Sequence, residues 1–460
     1  MFVTIAQLLL SLSILVVLHE LGHFGAAKWF KTRVEKFYLF FNPGFSLFKV
    51  QKGETEYGIG WLPLGGYVKI SGMIDESFDK EQMAEEPKPY EFRSKPAWQR
   101  LIIMIGGVTV NFILGIILFA MVMWIWGVEF IPNSAVKEGI TVSEMGYDMG
   151  LRDDDILVSI GDKEIKKFDS RVLTKEIVIN DAKEIKVMRK GTETLIPIDE
   201  KFVGELTKYE NRNTSLFHLK FPAVVKEFDE KSPAEAKKAG LKIGDEIIGV
   251  NGKPTPYFHN FYNTALGEKT ENLNFQIKRN SDTLNLEYKT MFPGKVSPIK
   301  KLFGKKPVPR RRIGFKVEDE SNYVDYEVEK YGFMESIPKG LSMSWEFLTD
   351  QMKAFGQMFS GKIKASESLG SFISIGKMFG STWDWRRFWI MTASLSILLG
   401  FLNLLPIPAL DGGYVMFLLF ESITGIKVSD RVMEIATLIG FGLLIILMVY
   451  ALGLDIMRNI

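Results

Sequence analysis

Four stretches of this 460-residue chain are apolar for long enough to cross a bilayer, which takes ~20 helical residues. The first runs from Val3 to Leu18 and continues through His19-Glu20-Leu21-Gly22-His23 to Phe24 and Trp29. The others are Leu101 to Val128, Phe388 to Leu405 and Ile435 to Leu454, and none of these three carries an ionised side chain except at its flanks. One such stretch could be a buried core helix; four in one chain predict a polytopic α-helical membrane protein. The first lacks a basic lead and a small-residue cleavage site, so it reads as a retained span and not a removed leader. Lys28, Lys31, Arg33 and Lys36 follow it, and Arg93, Lys95 and Arg100 precede the second. Positive-inside logic puts that short loop in the cytoplasm, and both termini and everything between spans two and three on the opposite side. Arg386 and Arg387 oppose this locally, but the long segment before them weakens their weight.

The middle of the chain is polar and contains an internal repeat. Met149 to Lys163 aligns with Ala239 to Lys253, and Gly150/Gly240, Leu151/Leu241, Asp155/Asp245 and Lys163/Lys253 coincide. Each copy reads as a short helix ending in Gly, a tight turn, an apolar strand and a second turn. The second copy, from Ser232-Pro233-Ala234 to Gly252, resembles a PDZ domain of the bacterial protease type. The first matches less closely, because Asp154 stands where the second has Gly244; an unrelated duplicated β-domain is the alternative. After the repeats come Lys300, Lys301, Lys305, Lys306, Arg310, Arg311 and Arg312, interrupted by Pro307 and Pro309 and read as a solvated linker or one touching anionic headgroups. Leu341, Trp345, Leu348, Met352, Phe355 and Phe359 then recur at alternating four and three, one apolar stripe of a helix that packs on the protein or lies on the membrane.

The predicted division is residues 1–30, a span bearing the His motif; 31–96, a cytoplasmic or membrane-dipping β region; 97–128, the second span; and 129–220 and 221–292, the tandem repeats. Residues 293–385 form the basic linker and amphipathic segment, 386–432 the third span with its Asp-Gly loop, and 433–460 the fourth. Composition adds exclusions. With 57 Lys+Arg against 55 Asp+Glu there is no global basic field for nucleic acid, and the absence of Cys removes disulfides, thiolate zinc sites and cysteine nucleophiles. Aromatic residues at 13% argue against intrinsic disorder.

His19-Glu20-Leu21-Gly22-His23 carries the chemistry. Positions i and i+4 of a helix share a face, so two imidazoles can converge on one tetrahedral Zn²⁺, and Glu20 is near enough to take a proton from a metal-bound water. Two of the chain's four His lie here, inside a span, where ionisable groups default to a functional reading. Catalytic zinc normally has three protein ligands. The best third candidate is Asp411: Pro406 and Pro408 end the third span, and Gly412 and Gly413 permit a turn that aims a carboxylate inward. Asp411 could instead cap a turn or helix, with Glu421 and Glu434 as other candidate ligands. Tyr57 to Ile70, extended and Gly-punctuated, reads as a β-hairpin.

Together, His-Glu-Leu-Gly-His, Leu64-Gly-Gly-Tyr67-Val-Lys-Ile-Ser-Gly72, the tandem repeat and Asn403-x-x-Pro-x-Pro-x-x-Asp411-Gly resemble the site-2 protease family of intramembrane zinc metalloproteases over nearly the whole chain. The resemblance implies Zn²⁺ held by His19, His23 and Asp411, with Glu20 as general base. It implies substrate contacts at Asn403, Gly66, Tyr67 and Asn111, and a membrane-dipping hairpin that adds the substrate as a strand. Gly107-Val-Thr-Val-Asn111-Phe112 has Val108 where the family has Pro, and Gly370-Ser371-Phe372-Ile373 departs from a Ser-Gly-Pro-Ile-like motif. The implied substrates are single-pass membrane proteins, anti-sigma factors and remnant signal peptides among them, cut after their outer domain has been trimmed. The implied location is the bacterial inner membrane, in contact with lipid, with the active site near the cytoplasmic side and the PDZ-like repeats periplasmic as a size filter. A silent scaffold and a metal transporter are the competing classes; oligomeric state stays open.

Overall fold

The computed structural model describes residues 2–63, 65–73, 86–211, 214–228, 233–268, 270, 272–290 and 313–459. The basic linker, Ser232 and Leu64 lie outside the described residues. The chain divides into two compact units: residues 1–128, 330–352 and 369–459 in one, and 129–329 and 353–368 in the other.

The first unit is helical. Its long helices are α1 (Phe2–Trp29), α2 (Ala97–Trp126), α3 (Phe333–Phe359, of which residues to Met352 belong here), α5 (Trp385–Leu404) and α7 (Asp430–Asn459), with α4 (Phe372–Met378) and α6 (Asp411–Thr424) between them. α1, α2, α5 and residues 431–458 of α7 are each long and apolar enough to span a membrane. Polar and small residues recur on their inner faces. The buried residues of α1 are Gln7, Ser11, Leu15, His19, His23 and Ala27, a row at intervals of four that includes Gln7, Ser11 and both histidines. Ser11 Oγ accepts a 2.9 Å hydrogen bond from Thr392, and Ser396 donates to the Asn111 carbonyl at 2.7 Å. α1 and α2 cross at glycines: a Cβ on Gly22 would stand 2.3 Å from the Gly106 carbonyl oxygen, and one on Gly106 would stand 2.5 Å from that of Gly22. Without a hydrophobic drive between helices in lipid, such close backbone approach supplies the packing.

The Leu341–Phe359 stripe is helical, and Leu341, Trp345, Met352 and Phe359 point outward. The packed face is Ser336, Gly340 and Ser344, where a Cβ on Gly340 would meet the Ala120 backbone nitrogen of α2 at 2.5 Å. Small residues every four positions make the contact, flanked by Met343, Phe347 and Leu348. The Asp-Gly loop, in turn, opens a 14-residue helix, α6, whose Val415 and Leu418 pack with Ile103 and Met104.

Between α1 and α2 lies a four-stranded sheet in the order β2-β3-β1-β4, with β1 Val34–Leu39, β2 Phe48–Lys52, β3 Thr55–Ile59 and β4 Tyr67–Ile70. β1 runs parallel to β3 and antiparallel to β4. The expected hairpin over Tyr57–Ile70 is therefore not formed: its two strands flank β1. The true hairpin is β2–β3, closed by Gly53-Glu54 between the paired Lys52 and Thr55, with Gly53 at φ 61°. β4 is an edge strand.

The second unit holds the two repeats. In the first, strands Thr192–Pro197, Glu184–Arg189, Ile156–Ile160 and Lys163–Glu164 neighbour one another in that order; in the second the order is Asp282–Lys289, Asn272–Arg279, Glu246–Val250, Ala223–Phe228 and Phe315–Val317. Gly150 and Gly240 both take left-handed backbone (φ 110° and 82°), and Asp154 adopts at φ 70° what Gly244 adopts at 91°. Aspartate tolerates that region better than most residues, which explains the irregular copy. Each repeat also carries a buried fork: Arg189 bonds both carboxylate oxygens of Asp155 (2.7 and 2.8 Å) and the Gly150 carbonyl, and Arg279 bonds Asp245 (2.7 and 2.7 Å) and Gly240. Burial opposes ionisation of Asp245, but Arg279 and the Lys242 amide outweigh it and hold the carboxyl below its usual range. Arg279→Leu leaves that carboxylate buried and unpaired; we expect a loss of about 3–5 kcal/mol, read as faster hydrogen exchange across residues 246–250.

Residues 353–368 dock on the first repeat. Ile363 enters its core, Lys353 bonds Asn180 at 2.7 Å, and Glu367 accepts the Tyr209 amide at 2.8 Å. In the second repeat a cleft of about 750 Å³ opens beside helix Phe258–Gly267 and the edge strand Phe315–Val317.

Candidate metal centre

Three side chains from two elements of the first unit converge on one point. α1 supplies His19 and His23 from its buried face, and the first turn of α6 supplies Asp411. His19 Nε2 and His23 Nε2 lie 3.3 Å apart, and Asp411 Oδ2 is 3.3 Å from each. A tetrahedral Zn²⁺ with bonds of about 2.0–2.1 Å separates its ligand atoms by about 3.3 Å, so the triangle has the dimensions of one face of that tetrahedron. Asp411 Oδ2 is buried without a hydrogen-bond partner of acceptable geometry, as an oxygen facing a cation would be. The donor set fits zinc.

The supporting groups fix tautomers. His23 Nδ1–H donates to the Ile103 carbonyl at 2.9 Å, which leaves Nε2 free as a ligand. His19 Nδ1 lies 2.9 Å from Asn111 Nδ2, while Asn111 Oδ1 is buried and unpartnered. With that amide turned over, Oδ1 accepts the His19 Nδ1 proton and frees Nε2 in the same way. Asn111, for which the resemblance implies a substrate contact, is fully buried beside His19. Asn111→Ala should weaken zinc binding about 10–100-fold, measured by competition with a metal indicator.

Backbone shape does the rest. A Cβ on Gly107 would fall 2.4 Å from His23 Nε2 and 2.7 Å from His19 Cε1, so the imidazoles occupy the volume that this glycine leaves open. The loop before Asp411 is strained, with Ala409 at φ 83°, and its carbonyls lie against glycine faces. A Cβ on Gly412 would be 2.2 Å from the Leu405 oxygen, and one on Gly440 of α7 would be 1.7 Å from that of Pro408. The sequence marks Gly107 as the head of a motif but not its place beside the imidazoles, and it gives no sign of Gly440.

Glu20 is half-buried beside the triangle, within electrostatic reach of His23, His19 and Asp411, and it accepts a backbone hydrogen bond from Val68 of β4. Gly66 abuts the same turn of α1: its Cβ would stand 2.6 Å from Val16 and 3.6 Å from Glu20 Cγ. Asn403, in the last turn of α5, brings Nδ2 to 3.3 Å from His19 Nε2. The Tyr67 side chain is committed to the sheet, stacked on Tyr38 and Phe41 with its hydroxyl donating to Asn42 at 3.0 Å. Glu421, a possible ligand by sequence, pairs instead with Arg100.

Two histidines of a span-length apolar helix, completed by Asp411 of α6, make the metal-binding triangle of a membrane metalloprotease. Residues 7–447 match peptidase family M50, and the chain belongs to that family of site-2 protease type zinc metalloproteases. It is 29% identical to the regulator of sigma E protease of Haemophilus influenzae over 99% of both chains, and 29% identical to the regulator of sigma-E protease RseP of Escherichia coli over 99% of this chain and 98% of that one. A relative from Thermotoga maritima, 28% identical over 99% of each chain, also bears a zinc metalloprotease name.

Proposed function

We propose that this protein is an endopeptidase of the bacterial inner membrane that cuts single-pass membrane proteins within their membrane segment. Its substrates are of the anti-sigma-factor type and remnant signal peptides, taken after an earlier cut has removed their outer domain. The observation that carries the reading is the 3.3 Å triangle of donors from His19 and His23 of the span-length apolar helix α1 and Asp411 of the shorter helix α6. His19, His23 and Asp411 hold the zinc. Zinc, when bound there, would supply a polarised scissile carbonyl and a water that ionises near neutral pH. Glu20 takes that water's proton and later passes it to the leaving amine. Asn403 directs its amide at the reacting carbonyl.

A transmembrane helix must unwind to be cut, and its freed amides and carbonyls then need partners. β4 supports that role: its outer edge pairs with no strand among the described residues, and Gly66 at its head abuts Glu20. Gly66 and Tyr67 thus meet substrate through backbone, by strand addition. Phe45, Leu47, Phe48, Val50 and Trp61 are exposed on the same β region, with Phe45 and Trp61 stacked at 5.9 Å, which supports its dipping into lipid.

The repeats are PDZ-like domains on the periplasmic side, the active site lying toward the cytoplasm. They filter substrates by size; the cleft beside Phe258–Gly267 favours, as a second reading, capture of a substrate's trimmed end.

Cleavage by the purified zinc-loaded protein tests the central claim, with one substrate trimmed and one bearing its outer domain. Mass spectrometry should place the cut inside the trimmed substrate's membrane segment. Bound zinc with no cut in either substrate favours a scaffold, and zinc flux in liposomes a transporter. For strand addition, crosslinking from Tyr67→Cys should capture substrate and Ile59→Cys should not, because Ile59 lies in a strand enclosed by β1 and β2. No adduct at Tyr67→Cys counts against the edge.

A further inference from the structure

Two histidines lie outside the metal centre, and the fold lays one on the other. His218 sits in strand Phe217–Leu219, which pairs with Ile140–Val142 of the first repeat; His259 sits in helix Phe258–Gly267 of the second. Their ring centroids are 3.5 Å apart with planes inclined by 23°. The stack borders the apolar seam between the repeats, in which Leu219 and Phe221 pack with Ile131, Val136 and Phe258.

The surroundings offer a proton little. His218 Nε2 is buried with no hydrogen-bond partner, and Thr141, its neighbour across the ladder, has a buried hydroxyl equally without one. His259 Nε2 lies 2.8 Å from Asn263 Nδ2. Asp153 is the carboxylate that favours charge on His259, but it already accepts the Val142 amide and the Tyr147 hydroxyl. Lys220 is engaged by the Glu138 carbonyl and Asp154. Helix Phe258–Gly267 has no charged side chain of its own except a protonated His259, and Glu268 beyond it bonds Lys253.

We propose that His218 and His259 form an acid-opened latch between the two repeats: neutral rings stack and hold the seam closed, and protonation drives them apart. Like charges at this separation repel, and the partial burial of both rings weakens the screening by water. Burial, and for His218 the neighbouring His259, lowers both rings to about 4; Asp153 pulls His259 the other way without prevailing. An exposed imidazole titrates near 6.5. The closed contact is therefore fully favoured above that value and is lost as pH falls toward 4, by about tenfold in the closed-to-open ratio per pH unit for each histidine.

The chain has no cysteine, so Glu164→Cys with Asp282→Cys gives one spin-label pair, a label on each repeat, in the full-length protein in detergent. The distance should be sharp at pH 7.5 and should broaden and lengthen at pH 4.5. In His218→Phe/His259→Phe, where rings stack without titrating, it should not change with pH. Imidazole NMR of the unsubstituted protein gives a second measure. Ring pKa values at or above 6, an unchanged distance at pH 4.5, or the same acid response in the double variant would each overturn the latch. Its effect on substrate choice rests on the filtering role proposed above. Opening without admission of an untrimmed substrate keeps the latch and removes the filter.

Discussion

Glu20→Gln should lower cleavage of a trimmed single-pass substrate by about 10²–10⁴-fold while the protein keeps its zinc. Glutamine preserves the shape of the side chain and removes the basic oxygen. Glu20 is not one of the three donors in the 3.3 Å triangle, so its replacement leaves the metal's first ligands intact. It lies one residue round α1 from His19, between the ligand pair and the head of β4. From there it can serve a water at the metal and a peptide added to β4. Metal content by mass spectrometry and cleavage rate are measured on the same preparation. Loss of zinc would make Glu20 a structural member of the site, and retained activity would put the base elsewhere.

The same variant separates the competing functions. A scaffold would be indifferent to this carboxyl, and a transporter using the intramembrane carboxylates as a relay would lose flux. Only a hydrolase loses turnover while substrate still binds, so trapped substrate on Glu20→Gln, detected by co-purification, is the positive counterpart of the lost cut.

What the sequence made legible followed from period and cost. Three of the four spans stood out because nothing ionised interrupts them, and His19 and His23 in the first stood out because polar groups at membrane depth are costly. Asp411 could be suspected from the prolines and glycines around it. The rest depended on partners distant in sequence. β1 pairs with both β3 and β4, and no local pattern tells Tyr57–Ile70 to straddle another strand. The aspartates of the repeat were visible, but Arg189 and Arg279 lie 34 residues beyond them and show only as pairs in space. The packed face of α3 could not be chosen from sequence for a physical reason. A stripe of large apolar residues marks the inner face in water, whereas in lipid it can face out and leave Ser336, Gly340 and Ser344 to make the contact.

Gly107 belongs to this class, and it gives the second large effect. Gly107→Ala should weaken zinc binding by about 100-fold, the upper end of what disturbing the groups around metal ligands costs, although it touches no ligand chemically. The added methyl carbon would stand 2.4 Å from His23 Nε2 and 2.7 Å from His19 Cε1, where real contacts do not occur. Something must move. The α2 backbone is held against α1 by the Gly22–Gly106 crossing, and His23 is tied to α2 through the Ile103 carbonyl. The rings therefore give way, and the triangle opens on its His23 side. Gly25→Ala is the matched control: it lies on α1 two residues past His23, and its added carbon would meet nothing within 4 Å. It should bind zinc as tightly as the parent. Equal loss in both variants would point to general helix disruption, and no loss in Gly107→Ala would show that α1 and α2 can separate enough to admit a methyl, which would make the glycine crossing far looser than its contacts imply.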